Sequence, residues 1–342
     1  MQSVRLKSLA KINLDLRVLH KRPDGYHELR TVFHTISLAD RIEIEFEKTR
    51  RTTLTLDDPL EIPENLVLRA AEAVLDALKV HARVHFRLTK RIPMGGGLGG
   101  GSSNAASVLL SLPFLAQRAL PFERLRELAL GLGSDVPFFL LGGAALGLGR
   151  GEELYPLTDL SPEPVLVVAS SVHVSTADAY RTLDRSLTFT GSSSSINSFQ
   201  AFVRTLVGGR SANAACALTA NDFEAPVFRQ YPQLKTIQGK FSMLAQPGGL
   251  APAGDRAAAG AAARVGVRMS GSGSAVFALF GSSEARARAK RVLEGDRVLD
   301  GCRLIPAELV SRRRYQRMWQ SQLSGRPAAD NELWPPQNWY AR

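Results

Sequence analysis

Six glycines lie within seven consecutive residues of this chain, in the segment GGGLGGG at residues 95–101. Glycine has no side chain to bury and loses more backbone entropy on folding than any other residue. VHFRLTKRI (84–92), before the run, alternates apolar and polar residues as a half-buried strand does. SNAASVLLSL (103–112), after it, is typical of a helix that Ser102 or Ser103 caps and that ends before Pro113. The sequence therefore predicts a glycine loop that joins a strand to a helix.

A loop of this kind suits an anion, because backbone N–H groups converge at the helix start and the helix dipole adds positive potential. A Walker loop requires a lysine directly after its last glycine, whereas Ser102 follows here. Three of the glycines fit the dinucleotide spacing G-x-G-x-x-G. The acid expected about 20 residues later, however, is Glu123 at the start of a predicted helix. A phosphate loop of another kinase type and a flexible linker are the remaining interpretations.

Composition indicates a globular protein of one large or two ordinary domains, with 342 residues, 44% hydrophobic and 22% charged. The net charge of +11 favours an anionic partner, although an arginine-rich composition without a target would also produce it.

No segment holds ~18 consecutive apolar residues, and the N-terminus leaves no room for a signal peptide, so we expect neither a membrane span nor export. Cys216 and Cys302 lack metal-ligand spacing and fit reduced core thiols in a cytoplasmic protein.

Further segments predict the remaining elements. The predicted strands are RIEIEFE (41–47) and VLVVAS (165–170), and the predicted helices are NLVLRAAEAVLDAL (65–78, capped by Asn65) and PFERLRELALGLG (121–133). Three segments offer little to bury or lack periodicity: the Ser-rich loop 190–198, the Gly/Ala/Pro-rich insertion 246–264 and the tail 325–342.

Two short stretches are ambiguous when each is taken alone. LGSDVPFFL (132–140) places one acid, Asp135, in an apolar setting, which fits a helix cap as well as a functional carboxylate. MSGSGSAVFALF (269–280) is a second Gly/Ser loop that runs into an apolar strand, and it fits a simple turn equally well.

Taken together, these segments resemble the GHMP kinase superfamily, which includes galactokinase, homoserine kinase, mevalonate kinase and phosphomevalonate kinase. The resemblance is strongest to its branch that acts on 4-diphosphocytidyl-2-C-methyl-D-erythritol. It covers residues 5–310 in order, and Asn104 stands where many members have aspartate. The stretches that carry it are AKINLDLRVLHKRPDGYHELRTVFHTISLADRIEI, GGGLGGGSSNAA, GSDVPFF and RMSGSGSAVFALF.

The resemblance implies a two-domain α+β fold, with a ribosomal-protein-S5-like N-terminal domain and a ferredoxin-like C-terminal domain around a cleft. We expect an ATP-binding and catalytic domain at 1–160, a second domain at 161–312 and a C-terminal extension at 313–342. The implied reaction transfers the ATP γ-phosphate, with Mg²⁺, to the 2-hydroxyl of the cytidine substrate. We expect a cytoplasmic monomer or homodimer with no membrane or nucleic-acid partner.

The resemblance also implies a role for each motif residue. Lys11 and Asp135 match the catalytic pair, and a positioned carboxylate is suited to accept the proton of an attacking alcohol. The positions that match the ATP-phosphate cradle are Pro93, Gly95, Gly96, Gly97, Leu98, Gly99, Gly100, Gly101, Ser102 and Ser103, with both serine hydroxyls near the metal. The positions that match substrate-binding residues are Asn13, Tyr26, His27, Tyr180, Gly271, Ser272 and Gly273. In this assignment Tyr26 and Tyr180 clamp the cytosine and His27 bonds its edge.

Two alternatives to this function stay open at the level of sequence. A mevalonate- or homoserine-type kinase would share the three motifs, and RPDGYHEL (22–29) is the stretch that argues for the cytidine branch. A basic nucleic-acid-binding protein is the other alternative, because SRRRYQRMWQ (311–320) interleaves arginines with aromatic residues.

Overall fold

A computed structural model describes residues 1–184, 193–208, 219–244 and 266–324. The predicted insertion 246–264, the tail 325–342 and Cys216 lie outside these ranges. The segment 190–198, predicted as a loop, differs from the prediction where it is described, because a helix begins at Ser193. Within the described ranges, no helix is long and apolar enough to cross a membrane.

The first sheet is built around one long hairpin. Its strands β1 (Gln2–Lys21) and β2 (His27–Lys48) pair antiparallel over almost their whole length. The other edge of β2 is shared by two further strands, one beside Arg41–Lys48 and one beside Thr31–His34. The sheet order is β3-β4-β2-β5-β6, with β1 on β2; the remaining strands are β3 (Thr53–Asp57), β4 (Ala82–Thr89), β5 (Ala144–Leu148) and β6 (Glu153–Pro156).

Four helices form the main core with this sheet: α1 (Leu66–Leu78), α2 (Gly100–Leu115), α3 (Phe122–Leu132) and α4 (Val136–Leu141). The predicted cap of α1 is confirmed, since the Asn65 side chain accepts a hydrogen bond from the amide of Val67 at 3.0 Å. The predicted serine cap of α2 is wrong. The helix begins at Gly100, and the Ser103 hydroxyl donates to the carbonyl of Leu9. The predicted stop at Pro113 is also wrong, because this residue is buried in the last turn, where packing offsets its missing donor.

The second sheet is antiparallel, with the order β10-β7-β9-β8. Its strands are β7 (Pro164–Ala169), β8 (Gly266–Met269), β9 (Val276–Leu279) and β10 (Arg303–Glu308). The helices of this half are α5 (Thr176–Asp184), α6 (Ser193–Val207), α7 (Glu224–Gln230), α8 (Pro232–Leu244) and α9 (Ser283–Glu294). The boundary predicted at residue 160 falls between β6 and β7.

The last described helix, α10 (Arg312–Ser324), returns to the first sheet. Tyr315 and Trp319 are fully buried in the main core, and the Tyr315 hydroxyl donates to the carbonyl of Phe139 at 2.6 Å. The aromatic residues of SRRRYQRMWQ are therefore core side chains, and they are not exposed for stacking on nucleic-acid bases.

Backbone hydrogen bonds join the two halves at two places. The amide of Leu16 donates to the carbonyl of Ala220 at 2.9 Å, and the amide of Asp222 donates to the carbonyl of Leu16 at 3.0 Å. At the other contact, the amide of Val310 donates to the carbonyl of Thr35 at 2.9 Å. These bonds fix the second sheet relative to β1 and β2, and both strands also line the cleft.

His34 on β2 is a buried titratable group. Its Nδ1 donates to the carbonyl of Thr35 at 2.8 Å, and its Nε2 has no partner within the described part of the chain. Burial lowers the pKa of His34 to about 4, although the charge of nearby Asp159 opposes the shift. The native state therefore holds this imidazole neutral.

This burial predicts an acid-dependent loss of stability. Above a pH of about 6.5, the ordinary histidine pKa, His34 is neutral in both the folded and the unfolded chain. As the pH falls toward the folded value, only the unfolded chain takes up the proton, so the free energy of unfolding decreases. We expect His34 to contribute about 2 kcal/mol to the difference between pH 7 and pH 5. His34→Gln, which cannot titrate, should remove that part of the pH dependence in urea titrations. An unchanged slope would contradict the assignment.

Candidate active site

A cavity of about 680 Å³ opens between the two halves, and the predicted residues from separate motifs meet on its wall. Four of them come from β1, the turn that follows it and the start of β2, and three come from the glycine loop and the first turn of α2. Asp135 directly precedes α4, Tyr180 lies on α5, and the loop between β8 and β9 supplies the last two. The predicted residues that line this cavity are Lys11, Asn13, Tyr26, His27, Gly97, Gly99, Ser102, Asp135, Tyr180, Gly271 and Ser272. The predicted Gly273 lies in the loop between β8 and β9 and does not line this cavity.

Lys11 and Asp135 form an ion pair at the cavity wall, with 3.4 Å between Nζ and Oδ2. The lysine side chain is only 4% exposed, whereas the carboxylate is 35% exposed. Asp135 directly precedes α4 but makes no capping hydrogen bond with its side chain. The interpretation of Asp135 as a simple helix cap therefore does not account for its position.

Asn13 and Phe33 hold the Lys11 ammonium from the protein side. The ammonium donates to Asn13 Oδ1 at 2.6 Å and lies 5.4 Å from the centroid of the Phe33 ring. Asn13 Nδ2 in turn donates to Thr31 Oγ1 at 2.8 Å. A buried ammonium needs such partners, since loss of hydration disfavours an unpaired charge. These contacts fix Lys11 so that its charge faces Asp135 and the cavity.

The glycine loop packs directly against the second Gly/Ser loop. A Cβ atom at Gly97, whose φ is +69°, would overlap the carbonyl oxygen of Ser270. Ser270 Oγ donates to the carbonyl of Gly97 at 2.9 Å, and the amide of Ser274 donates to the carbonyl of Gly95 at 3.2 Å. At Gly99 a Cβ would lie 2.8 Å from the Phe139 ring. These two glycines are thus required by loop packing, whatever anion the loop binds.

Of the remaining residues predicted to cradle the phosphates, two point into the protein and one lines the cleft. Leu98 is buried in the core, and its carbonyl accepts from the amide of Lys11 at 3.0 Å. The predicted placement of the Ser103 hydroxyl near a metal is wrong, because the side chain is 1% exposed and bonds Leu9 inside the protein. Ser102 is half-buried and lines the cleft.

Asp40 anchors both ends of the glycine loop from a buried position. One carboxylate oxygen accepts from the amides of Arg91 and Ile92 at 2.7 and 2.8 Å, just before the loop. The other accepts from Asn104 Nδ2 at 3.1 Å, one turn into α2, and from Lys90 Nζ. The span of the loop is therefore set by one side chain of β2.

A smaller cavity of about 280 Å³ lies on the other side of the glycine loop. The whole run Gly95–Gly101 borders it, together with Pro93 and the polar residues Glu64, Asn65, Lys90 and Asn104. Its apolar walls come from Ile62, Pro63, Leu66, Leu88 and Met94. The glycine loop thus borders both the small cavity and the larger cleft.

At the far end of the cleft, the aromatic residues differ from the predicted clamp. The rings of His27 and Tyr180 stack on each other, with 4.7 Å between centroids and 24° between planes. Phe223 meets Tyr180 nearly at right angles, at 4.8 Å. Burial and the charge of Asp135 raise the pKa of Tyr180, so its hydroxyl stays protonated. Tyr26 is 53% exposed beside the cleft.

Three residues that organise the site were not predicted from the sequence. Asn221 donates from Nδ2 to the carbonyls of Met269 and Gly271, at 2.7 and 2.8 Å, and so shapes the second Gly/Ser loop. The others are Asp40, which anchors the glycine loop, and Arg150, whose guanidinium lies over the Tyr26 ring at the cleft. A polar residue in ANDF (220–223) or LADR (38–41) carries no signal of this kind, because each partner is distant in sequence.

Comparison with known proteins matches both halves of the chain. Residues 65–143 fit the family model described as GHMP kinases N terminal domain, and residues 242–296 fit GHMP kinases C terminal. A Solibacter usitatus protein named 4-diphosphocytidyl-2-C-methyl-D-erythritol kinase is 49% identical over 98% of this chain and 97% of its own length. A Geobacter metallireducens protein of the same name is 38% identical over 85% of this chain and 95% of its own.

Solved structures show the same relationship. A crystal structure of a 4-(cytidine 5'-diphospho)-2C-methyl-D-erythritol kinase is 35% identical, with a TM-score of 0.67 over 89% of this chain and 98% of its own. Mevalonate kinase from Methanococcus jannaschii has a TM-score of 0.62 at 14% identity, over 91% of this chain and 99% of its own. The similarity to the mevalonate kinase structure shows that the two proteins share a fold.

The packing of the two loops predicts opposite outcomes for two alanine substitutions. Gly97→Ala should lower the free energy of unfolding by roughly 2–4 kcal/mol and weaken nucleotide binding, since the Cβ collides with backbone at a positive φ. Gly101→Ala is the matched control, because its Cβ meets only Leu66 at 3.7 Å and alanine favours a helix. We expect that variant to be equally or slightly more stable. Urea titration and nucleotide titration measure both effects, and equal stability of the two variants would contradict the packing argument.

Proposed function

The chain belongs to the 4-diphosphocytidyl-2-C-methyl-D-erythritol kinase family, and from this membership we propose how its cleft performs the reaction. It is an ATP-dependent phosphotransferase of the GHMP type, and its reaction belongs to the MEP pathway of isoprenoid biosynthesis. We assign transfer of the γ-phosphate to the 2-hydroxyl of the cytidine substrate. The observation that carries this proposal is the Lys11–Asp135 pair, which faces the cleft beside the glycine loop.

ATP binds across the glycine loop in this proposal. Backbone N–H groups at the start of α2 suit the phosphates, and the helix dipole favours their charge. The adenine occupies the smaller cavity, whose apolar walls and few polar groups suit a flat base. The γ-phosphate then points into the larger cleft, toward Lys11.

The charged side chains of the larger cleft support binding of the acceptor substrate there. Within the part of the chain that the structure describes, the cleft is lined by Lys11, Lys21, Arg150 and Arg181 against a single carboxylate, Asp135. The substrate diphosphate is a polyanion, so a cationic wall at the acceptor side favours its approach. The net charge of +11 has a partial explanation here.

Asp135 acts as the general base. In phosphoryl transfer through a loose transition state, the attacking alcohol loses its proton late, and a positioned carboxylate accepts it. The Lys11 ammonium, held by Asn13, stabilises negative charge on the group in transfer. Both side chains reach the cleft from rigid elements, β1 and the start of α4, so little reorganisation is needed.

The cytidine is recognised at the aromatic end of the cleft. Tyr26 offers a half-exposed ring on which a base can stack, and His27 supplies hydrogen-bonding nitrogens beside it. Tyr180 stacks on His27, so we now assign it the role of fixing the imidazole rather than of closing a clamp. The second-loop residues Gly271 and Ser272 close the cleft floor, where Ser272 Oγ lies 3.0 Å from Thr176 Oγ1.

Mg²⁺ enters with ATP in this proposal. Among the described residues, no three His, Cys, Asp or Glu side chains come together as a metal site. The groups present fit an ion held mainly by phosphates and water, with the Ser102 hydroxyl as an oxygen donor on the cleft wall. When bound, the ion neutralises phosphate charge.

We further propose a cytoplasmic enzyme, since ATP is its donor. We also retain the predicted domain boundaries and the monomeric or homodimeric state as proposals.

The experiment that tests the function is an acceptor comparison. ADP release is measured with 4-diphosphocytidyl-2-C-methyl-D-erythritol, mevalonate and homoserine in turn, at equal enzyme and ATP concentrations. Turnover with the cytidine substrate and none with the other two is expected. Faster turnover of mevalonate or homoserine would overturn the assigned acceptor while leaving the kinase fold in place.

Asp135→Asn should reduce kcat by about two to four orders of magnitude, because the amide keeps the shape but cannot accept the proton. The affinity for ATP should change little, since the proposed phosphate cradle is backbone. Asp57→Asn, on the exposed surface of β3, is the control for loss of one carboxylate charge. Steady-state kinetics with both substrates measure the effect, and a D135N variant with most of the wild-type kcat would refute the base assignment.

A further inference from the structure

One cationic side chain of the cleft, Arg150, has been assigned only a share of the positive charge of the cleft wall. The guanidinium carbon of Arg150 lies over the ring of Tyr26, 4.6 Å from its centroid. Both residues line the cleft, and Tyr26 is otherwise half exposed. A guanidinium stacked on a tyrosine face is an attractive cation–π contact. One of the two faces of the Tyr26 ring is therefore covered by protein.

The backbone around Arg150 is held in place for this contact. Arg150 lies in the turn between β5 and β6, flanked by Gly149 at φ +67° and Gly151 at φ +96°. The carbonyl of Gly149 accepts from the amide of Leu29 at 2.6 Å, which ties the turn to β2 close to His27. The turn and the aromatic end of the cleft are thus joined by backbone.

The side chain is oriented as well. The Glu152 carboxylate accepts from the backbone amide of Arg150 and from its Nε, the latter at 3.3 Å. This pairing leaves the flat guanidinium directed over Tyr26. The tyrosine itself lies in the turn between β1 and β2, where its amide donates to Asp24 Oδ1 at 3.1 Å. Its ring has few other restraints, because it is 53% exposed.

We propose that Arg150 is a positioning residue for nucleobase recognition: it stacks on one face of Tyr26 and holds the ring so that its other face receives the pyrimidine. This inference rests on the proposed function, in which Tyr26 is the base platform. A ring already held in its binding orientation loses less conformational entropy when the base stacks. Arg150 thus acts on the affinity for the cytidine substrate through Tyr26, and it has no part in phosphoryl transfer or ATP binding.

A double-mutant cycle tests the inference, with Arg150→Ala, Tyr26→Ala and the double variant. The measured quantities are KM for the cytidine substrate, KM for ATP, kcat and the Kd of free CMP. A cation–π contact of about 0.5–1 kcal/mol at an exposed site corresponds to a roughly two- to fivefold change. We expect Arg150→Ala to raise KM for the cytidine substrate and the Kd of CMP by that factor, with KM for ATP and kcat unchanged. In the Tyr26→Ala background, Arg150→Ala should have no further effect.

Two further variants separate stacking from charge. Arg150→Lys keeps the charge but not the planar group, so it should restore only part of the affinity for CMP. Arg181→Ala removes a different cation from the same cleft, one that pairs with Asp178 and does not stack on Tyr26. Any effect of Arg181→Ala should therefore be the same with and without Tyr26. Urea titration of each variant verifies folding, and Arg150→Met replaces Arg150→Ala in the cycle if the alanine variant unfolds.

The outcomes decide between the inference and the function on which it rests. Additive effects of Arg150→Ala and Tyr26→Ala would overturn the inference, since Arg150 would then act independently of the ring. A loss of CMP affinity in Tyr26→Ala but none in Arg150→Ala would overturn it too, while the base platform would stand. Unchanged CMP affinity in Tyr26→Ala would refute the platform itself, and the inference with it.

Discussion

The close contact between Gly97 and Ser270 is the constraint on which the site depends. At this point the glycine loop of the first half and the Gly/Ser loop of the second half approach so closely that no side chain fits between them. The hydrogen bond from Ser270 Oγ to the Gly97 carbonyl fixes their register. The next residue, Leu98, accepts from the amide of Lys11. The position of Lys11 is therefore set by the same contact that joins the two loops.

The Lys11 ammonium adds an electrostatic constraint to this steric one. Burying an ammonium is costly unless its donors are satisfied, and Asn13 and Asp135 provide acceptors from two different elements. Asp135 remains more than one-third accessible on the cleft side, so a substrate hydroxyl can reach it. The same pair that compensates the buried charge thus presents a carboxylate to the cleft. One ion pair, Lys11–Asp135, therefore both stabilises the folded site and supplies the carboxylate of the proposed chemistry.

Local sequence patterns predicted the parts of the site that are contiguous in the chain. The glycine run, the acid in GSDVPFF and the YH pair each carry their signal within a few residues, and the structure brings them to one cleft. Prediction failed where a side chain found a distant partner. Ser103 was expected at a helix cap, but the carbonyl of Leu9 lies beside it once β1 packs on α2. Asp40 binds both ends of the glycine loop through groups at least 50 positions away, which no spacing rule displays.

In the proposed function, the two ends of the cleft bind their ligands in different ways. At the phosphate end the proposed contacts are backbone groups, and Gly97 and Gly99 are fixed by loop packing. At the base end the contacts are side-chain rings and a guanidinium, brought together from the turn after β1, the turn after β5, and α5. Mevalonate kinase shares this fold at 14% identity, so the fold alone does not select the acceptor. Selectivity must then come from cleft side chains, and the aromatic end is where such residues can vary without disturbing the loops that hold Lys11 and Asp135.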